Sequence, residues 1–233
     1  MQTGGAIRFG VDSNDWPFAA VDAEGQFVGL NPDLGRTLAE RIGVKVEFVP
    51  VGYDGAYDAL YVGRCDSLIG VVENDPARLA NFIYTGAYFD AGQVVITRCG
   101  EASNSERTAA RSADWGGKRI AVELGSEADA AARHVARRTP EVTLLSYDSP
   151  GEALEALKNG QADVALAEAV WARRAVAGQT ALRILPETVQ PYPLALATRA
   201  DSPRLRTALS RALAQLEKEG KLEAIVSRWL EEP

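Results

Sequence analysis

One histidine, one methionine and two cysteines among 233 residues exclude much familiar chemistry at the outset. A lone His134 leaves no Ser-His-Asp triad, no HExxH zinc site and little imidazole acid–base catalysis. It falls in the run Ala131–Arg138 (AARHVARR), which reads as a helix with a basic exposed face, so His134 is expected at the surface. The cysteines, Cys65 and Cys99, form no CxxC pair and are too few for a structural zinc centre. No cofactor is implied. No apolar run approaches the roughly 18–20 residues that a membrane span needs. Lys and Arg number 25 against 32 Asp and Glu, a net charge of −7. That balance argues against nucleic acid and anionic membranes as partners, both of which select basic patches. The start, Met1–Gly5, lacks the basic and apolar regions of a signal peptide. Two readings follow: a cytosolic protein, or a chain trimmed to its mature form.

What is present is ordinary for a soluble α/β protein: 46% apolar and 24% charged residues, enough for one large unit or two modest lobes. Ala6–Val11 alternates as a strand, and Asp12–Phe18 (DSNDWPF) is a polar turn. Asn31 or Asp33 can cap a helix carrying Leu34, Leu38 and Ile42 on one face, with Gly43 as its stop. Val44–Val49 returns as a strand, implying a parallel pair with a right-handed crossover. The pattern predicts a helix over Tyr53–Val62, a strand over Ser67–Val72, a short helix around Asp75–Ala80 and an extended run over Gly92–Thr97. Gly100–Ala113 is small and polar, a linking or surface segment. A second series follows, with strands at Arg119–Val122, Val142–Ser146, Asp163–Ala167 and Tyr192–Thr198. Helices are expected from Gly125-Ser126 to about Arg138, near Pro150–Asn159 and over Val170–Ala177, then at Arg204–Glu219 and Leu222–Leu230.

Several strings resemble, in order along nearly the whole chain, the polar amino-acid-binding proteins of ABC importers, that is, type II periplasmic binding proteins or extracellular solute-binding family 3. They are Trp16-Pro17-Phe18; Gly29–Leu34 (GLNPDL, resembling GFDVDL); Ala39–Val44 (AERIGV, resembling AERLGV); and Asp75–Arg78 (DPAR, resembling TPER), followed by Gly86–Phe89. Gly117–Ser126 (GKRIAVELGS) resembles GKKVGVQLGT, and Ala156–Val164 (ALKNGQADV) resembles ALKNGRVDAV. The resemblance implies a two-lobed α/β fold, each lobe a mostly parallel sheet flanked by helices, joined by a two-strand hinge. It places lobe 1 at 1–97 plus 190–233 and lobe 2 at 98–189, with the ligand cleft between them. The implied protein is a monomeric, extracytoplasmic solute-binding protein, which favours the trimmed-chain reading. It is not an enzyme; it captures an amino acid or related amine by lobe closure and delivers it to an ABC transporter permease.

By the same resemblance Arg78 grips the ligand α-carboxylate, a role suited to a permanently charged planar fork; the alternative is a surface arginine. Ser126, at a helix start, contacts ligand or serves as a plain N-cap, or both. Glu168 stands where relatives carry the aspartate that pairs the α-ammonium; otherwise it is a solvated helix-start acid. Asp12 and Asp15 match positions that contact ligand side chains, and Trp16 and Tyr53 can supply aromatic walls or belong to core and rim. The chain departs from the pattern at Glu73, where a serine or threonine is usual. A glutamate there repels a carboxylate unless it pairs with the ligand ammonium or with Arg78. With Asp12, Asp15 and Glu168 it makes an acidic site, favouring a basic amino compound. If the strands beside Cys65 and Cys99 are neighbours near the hinge, a disulfide is expected; the alternative is two separate thiols. Two further readings share the fold: a cyclohexadienyl dehydratase-like enzyme using Glu168 or Glu73 as acid, and the sensing domain of a membrane receptor.

Overall fold

The structure, a computed structural model, describes residues 5–52, 54–73, 75, 77–99 and 115–231. Tyr53 and the expected linking segment 100–113 lie outside the described residues. The chain divides into two compact units, one built from residues up to Phe89 and again from Pro193, the other from Asp90–Tyr192.

In the first unit, β1 (Ala6–Val11) pairs in parallel with β5 (Lys45–Pro50) and with β6 (Ser67–Val72). The returning strand β14 (Pro193–Arg199) lies antiparallel between β6 and β7 (Phe82–Tyr84), giving the order β5-β1-β6-β14-β7, and β8 (Phe89–Asp90) also pairs with β14. A small antiparallel sheet, β2 (Asn14–Asp15), β3 (Ala19–Val21) and β4 (Phe27–Val28), follows β1. Helix α1 (Leu30–Ile42) turns Leu30, Leu34 and Leu38 wholly into the core, and each such burial stabilises by roughly 1.5–3 kcal/mol. Gly43 ends it at φ 75, as expected. The start differs from expectation. Gly29 is the N-cap, without a side-chain capping bond, while Asn31 is buried and accepts a 2.5 Å bond from the Tyr88 hydroxyl. A Cβ on Gly29 would lie 2.6 Å from the Phe18 carbonyl oxygen, so the close approach of that loop sets where the helix begins. Helix α2 (Ala56–Tyr61) covers one face of the sheet, and α6 (Pro203–Lys218) and α7 (Lys221–Leu230) pack with α1.

The second unit repeats the plan. Strand β10 (Arg119–Glu123) pairs in parallel with β11 (Thr143–Tyr147) and β12 (Val164–Glu168), while β9 (Gln93–Arg98) runs antiparallel between β12 and β13 (Leu182–Gln190). Strand β9, which the expected boundary at residue 97 placed in the first lobe, thus pairs within this sheet. Helices α3 (Glu127–Ala136), α4 (Pro150–Lys158) and α5 (Ala169–Val176) flank it. Its core gathers Val95, Trp115, Ile120, Val122, Val164 and Leu166. His134 is exposed, as expected.

One ionic device occurs in both units. Arg8 in β1 donates its amide and guanidinium to the Asp66 carboxylate (2.8–3.1 Å), and the Asp66 amide returns a bond to the Arg8 carbonyl. Arg119 in β10 does the same with Asp163 (2.8–3.3 Å). Each aspartate directly precedes the third parallel strand and follows a left-handed glycine, Gly63 or Gly160.

Two expectations need correction. The disulfide fails because β6 and β9 are not neighbours: β6 lies between β1 and β14 in the first sheet, β9 between β12 and β13 in the second. Cys65 is a buried free thiol and Cys99 an exposed one. The short helix near Asp75–Ala80 is a turn at the described residues 77–80, tightened by bonds from the Ala77 amide to the Asp75 carboxylate and from the Arg78 amide to its carbonyl.

Candidate functional site

Because β1, β5 and β6 are parallel, their carboxyl ends emerge on one edge of the first sheet, where open α/β sheets place ligands. From β1 the chain turns at Asp12, whose carboxylate accepts the Asn14 amide at 3.0 Å. Asp15 follows in β2. Although it reaches solvent, its carboxyl is pushed up, first by loss of surrounding water and then by the Asp12 carboxylate. Trp16 is 57% exposed and meets Trp229 of α7 edge to face at 5.7 Å. The Trp229 indole N–H donates to Asp33 at 2.9 Å, so α7 holds Trp16 from behind.

From β6 the chain reaches Glu73, half-buried, whose amide donates to the Pro193 carbonyl at 2.8 Å. Three residues after Asp75, Arg78 lies with its guanidinium 4.5 Å from the centre of the Tyr57 ring and 3.7 Å from the Asp75 carboxylate. Among the described residues no ion pair joins Arg78 to Glu73; Asp75 takes that place. Tyr57 packs on Phe82 at 4.9 Å, and its hydroxyl lies 3.2 Å from that of Tyr84. Burial, and then the Tyr84 hydrogen bond, push the Tyr57 phenol well above its usual range, so it stays neutral. The sequence reading missed Tyr57. Its only signal is an aromatic one helical turn beyond Tyr53.

In the second unit the carboxyl ends of β10 and β12 likewise share an edge. Ser126 caps α3: its hydroxyl accepts the Asp129 amide at 3.1 Å and donates to the Glu123 carbonyl at 2.8 Å. The buried Asp129 accepts the Gly125 amide at 3.0 Å and pairs with Arg133 at 2.8 Å. Burial raises its carboxyl, but the Gly125 amide and Arg133 outweigh this, and the net direction is down. Glu168 ends β12 and caps α5, one oxygen accepting the Val170 amide and the other the Trp171 amide, both at 2.9 Å. The helix-start role is therefore filled. Each oxygen keeps a second lone pair, so a cation can still be received. Opposite Glu168 in the sheet stands Gln93, 8% exposed, whose side-chain oxygen has no partner among the described residues. Its signal was one polar residue opening an apolar strand.

Asp12, Asp15, Trp16, Glu73 and Arg78 thus lie along the carboxyl edge of the first sheet, and Ser126 and Glu168 along that of the second. Carboxylates dominate the first edge, with one guanidinium stacked on an aromatic ring. Such a set suits recognition of an amine or guanidinium.

Comparison with known proteins agrees with this plan. Over 228 residues, spanning 96% of this chain and 90% of the relative, the chain is 27% identical to the ABC transporter arginine-binding protein 1 of Escherichia coli K12. An ancestral arginine-binding protein bound to arginine is 29% identical, with TM-score 0.54, covering 97% of this chain and 98% of that one. The L-cystine solute receptor of Neisseria gonorrhoeae, in its unliganded open conformation, shares the fold at 21% identity, with TM-score 0.76 over 99% and 94% of the two chains. These relatives are binding proteins rather than enzymes. The profile of the bacterial extracellular solute-binding proteins, family 3, matches residues 7–232, and the chain belongs to that family.

Proposed function

We propose that the protein binds a cationic amino acid of the arginine type outside the cytoplasm, in the periplasm where there is one, and hands it to an ABC transporter permease. The observation that carries this reading is the carboxyl edge of the first sheet, where Asp12, Asp15, Glu73 and Asp75 accompany Arg78. Arginine-binding relatives at 27–29% identity support it. In this reading Arg78, held on Tyr57, takes the α-carboxylate. Ser126, at the start of α3, adds to the carboxylate grip, Glu168 takes the α-ammonium, and Glu73, Asp12 and Asp15 receive the side-chain cation. Trp16 and Tyr53 supply aromatic walls. Lobe closure brings the two groups onto one ligand.

The test is a thermal-shift screen with arginine, lysine, ornithine, agmatine, glutamate and leucine. A ligand at about 100 times its Kd stabilises the native state by about 2.7 kcal/mol. Arginine and its basic analogues are expected to raise Tm by several degrees. Stabilisation by glutamate or leucine, with none from basic compounds, sinks the reading.

A further inference from the structure

Among the described residues the chain passes between its two units at two places, after Phe89 and after Tyr192. Any change in the relation between the units must be absorbed by backbone torsions there. One side chain holds both crossings. Asp90 Oδ1 accepts the Gly92 amide at 2.9 Å, just before β9, and the Tyr192 amide at 2.7 Å, just before β14. Its Oδ2 accepts the Thr188 hydroxyl at 2.8 Å, and the Ala91 amide adds a 3.0 Å bond to the Tyr192 carbonyl.

The surrounding sequence leaves this carboxylate little competition. Tyr192 stands between Pro191 and Pro193, neither of which has an N–H, so the segment offers a single backbone donor and Asp90 takes it. The strands are also pressed together at this point. A Cβ on Gly92 would fall 2.0 Å from the Gln190 carbonyl oxygen, a position only glycine can hold. The β13–β9 register shifts on either side of Thr188, which still pairs with Val94, and the irregular strand there presents the Thr188 hydroxyl to Asp90.

We propose that Asp90 is the clasp of the hinge, fastening the outgoing and returning strands into one bend and so setting the free-energy cost of the closure that ligand capture requires. It is a positioning residue: none of its bonds involves a candidate ligand-binding side chain. With the clasp intact both crossings move as one ordered element. Without it each strand samples torsions independently, and closure must first order them, which weakens apparent affinity.

Hydrogen–deuterium exchange on the ligand-free full chain tests the clasp independently of ligand identity. Asp90→Ala is expected to speed exchange about tenfold or more in peptides covering both 88–94 and 186–194, with peptides over β1 and β10 unchanged. Thr188→Val, which removes one bond only, is expected to give a smaller acceleration in the same two peptides and keeps the test open should Asp90→Ala fold poorly. Acceleration in one crossing alone, in neither, or equally over β1 and β10 overturns the proposal. Calorimetry with L-arginine supplies the functional arm, where about three- to tenfold weaker binding by Asp90→Ala is expected. Unchanged affinity overturns the coupling to capture. Failure of the unmodified protein to bind arginine instead refutes the ligand reading above and leaves the exchange result to decide the clasp.

Discussion

Asp15 shows how a residue proposed to bind ligand can act against the stability of its own fold. Its carboxyl is pushed up by lost hydration and by Asp12, so ionising it costs more in the folded chain than in the unfolded one. For an acid with a raised folded pKa, the folded state is favoured as pH falls through that pKa and disfavoured above it. Asp15→Asn is therefore expected to raise the Tm of the ligand-free protein at pH 7, with the gain shrinking towards pH 4. If Asp15 has its proposed role, the same change is expected to weaken arginine binding several-fold, because a carboxylate that would receive the cation is lost. Thermal melts at the two pH values and a titration check both halves, and a Tm that falls at pH 7 would contradict the sign. Glu73 and Arg78 were readable as candidates because they sit in a recognisable string after a strand. Tyr57 and Gln93 were not, since one matters through the ring face it offers Arg78 and the other through its neighbour across the sheet. Such partnerships are tertiary and leave no local pattern.

At the scale of elements, strong periodicity was readable and weak periodicity was not. Strands β1 and β6 appear with the bounds expected from alternation and apolar content. Strand β13 was missed because Pro186 and a register shift interrupt its pattern, and β7 because three residues carry no period. Misjudged adjacency, rather than misjudged elements, produced the disulfide error. The paired Arg–Asp devices were also invisible, because 58 residues separate Arg8 from Asp66 and 44 separate Arg119 from Asp163. In Asp163 the Arg119 bonds outweigh desolvation and lower the carboxyl; in Asp66 burial opposes the Arg8 bonds but the net is also down. A depressed folded pKa gives stability that is present above the unfolded value, about 3.9, and lost as pH falls through the folded one. Asp66→Asn and Asp163→Asn are each expected to lower Tm at pH 7 by roughly 1–3 °C, a modest loss because the pairs are partly exposed. The deficit should shrink as pH falls from the unfolded value through the depressed folded one. A deficit that does not shrink would mean the loss is packing, not charge.

For the whole molecule, the order of strands says which unit depends on a distant stretch of chain. The second unit is continuous, and its five-stranded sheet draws every strand from 90–192. It has its own core around Trp115, fully buried, and a length of about 100 residues, within the range of independently folding domains. The first unit is interrupted. Strand β14 stands between β6 and β7, so a chain ending at residue 89 leaves β6 with a bare edge and takes away the strand on which β7 pairs. It also lacks α6 and α7, whose buried Leu209, Leu213, Leu216, Ile225 and Leu230 cover part of that core. A fragment of residues 90–192 is therefore expected to fold alone, with native near-ultraviolet dichroism from Trp115 and a cooperative melt. A fragment of residues 1–89 is expected to stay unfolded until residues 193–231 are supplied, on the same chain or as a separate peptide. Cooperative melting of 1–89 by itself would show that β14 only completes a sheet that is already stable, rather than nucleating it.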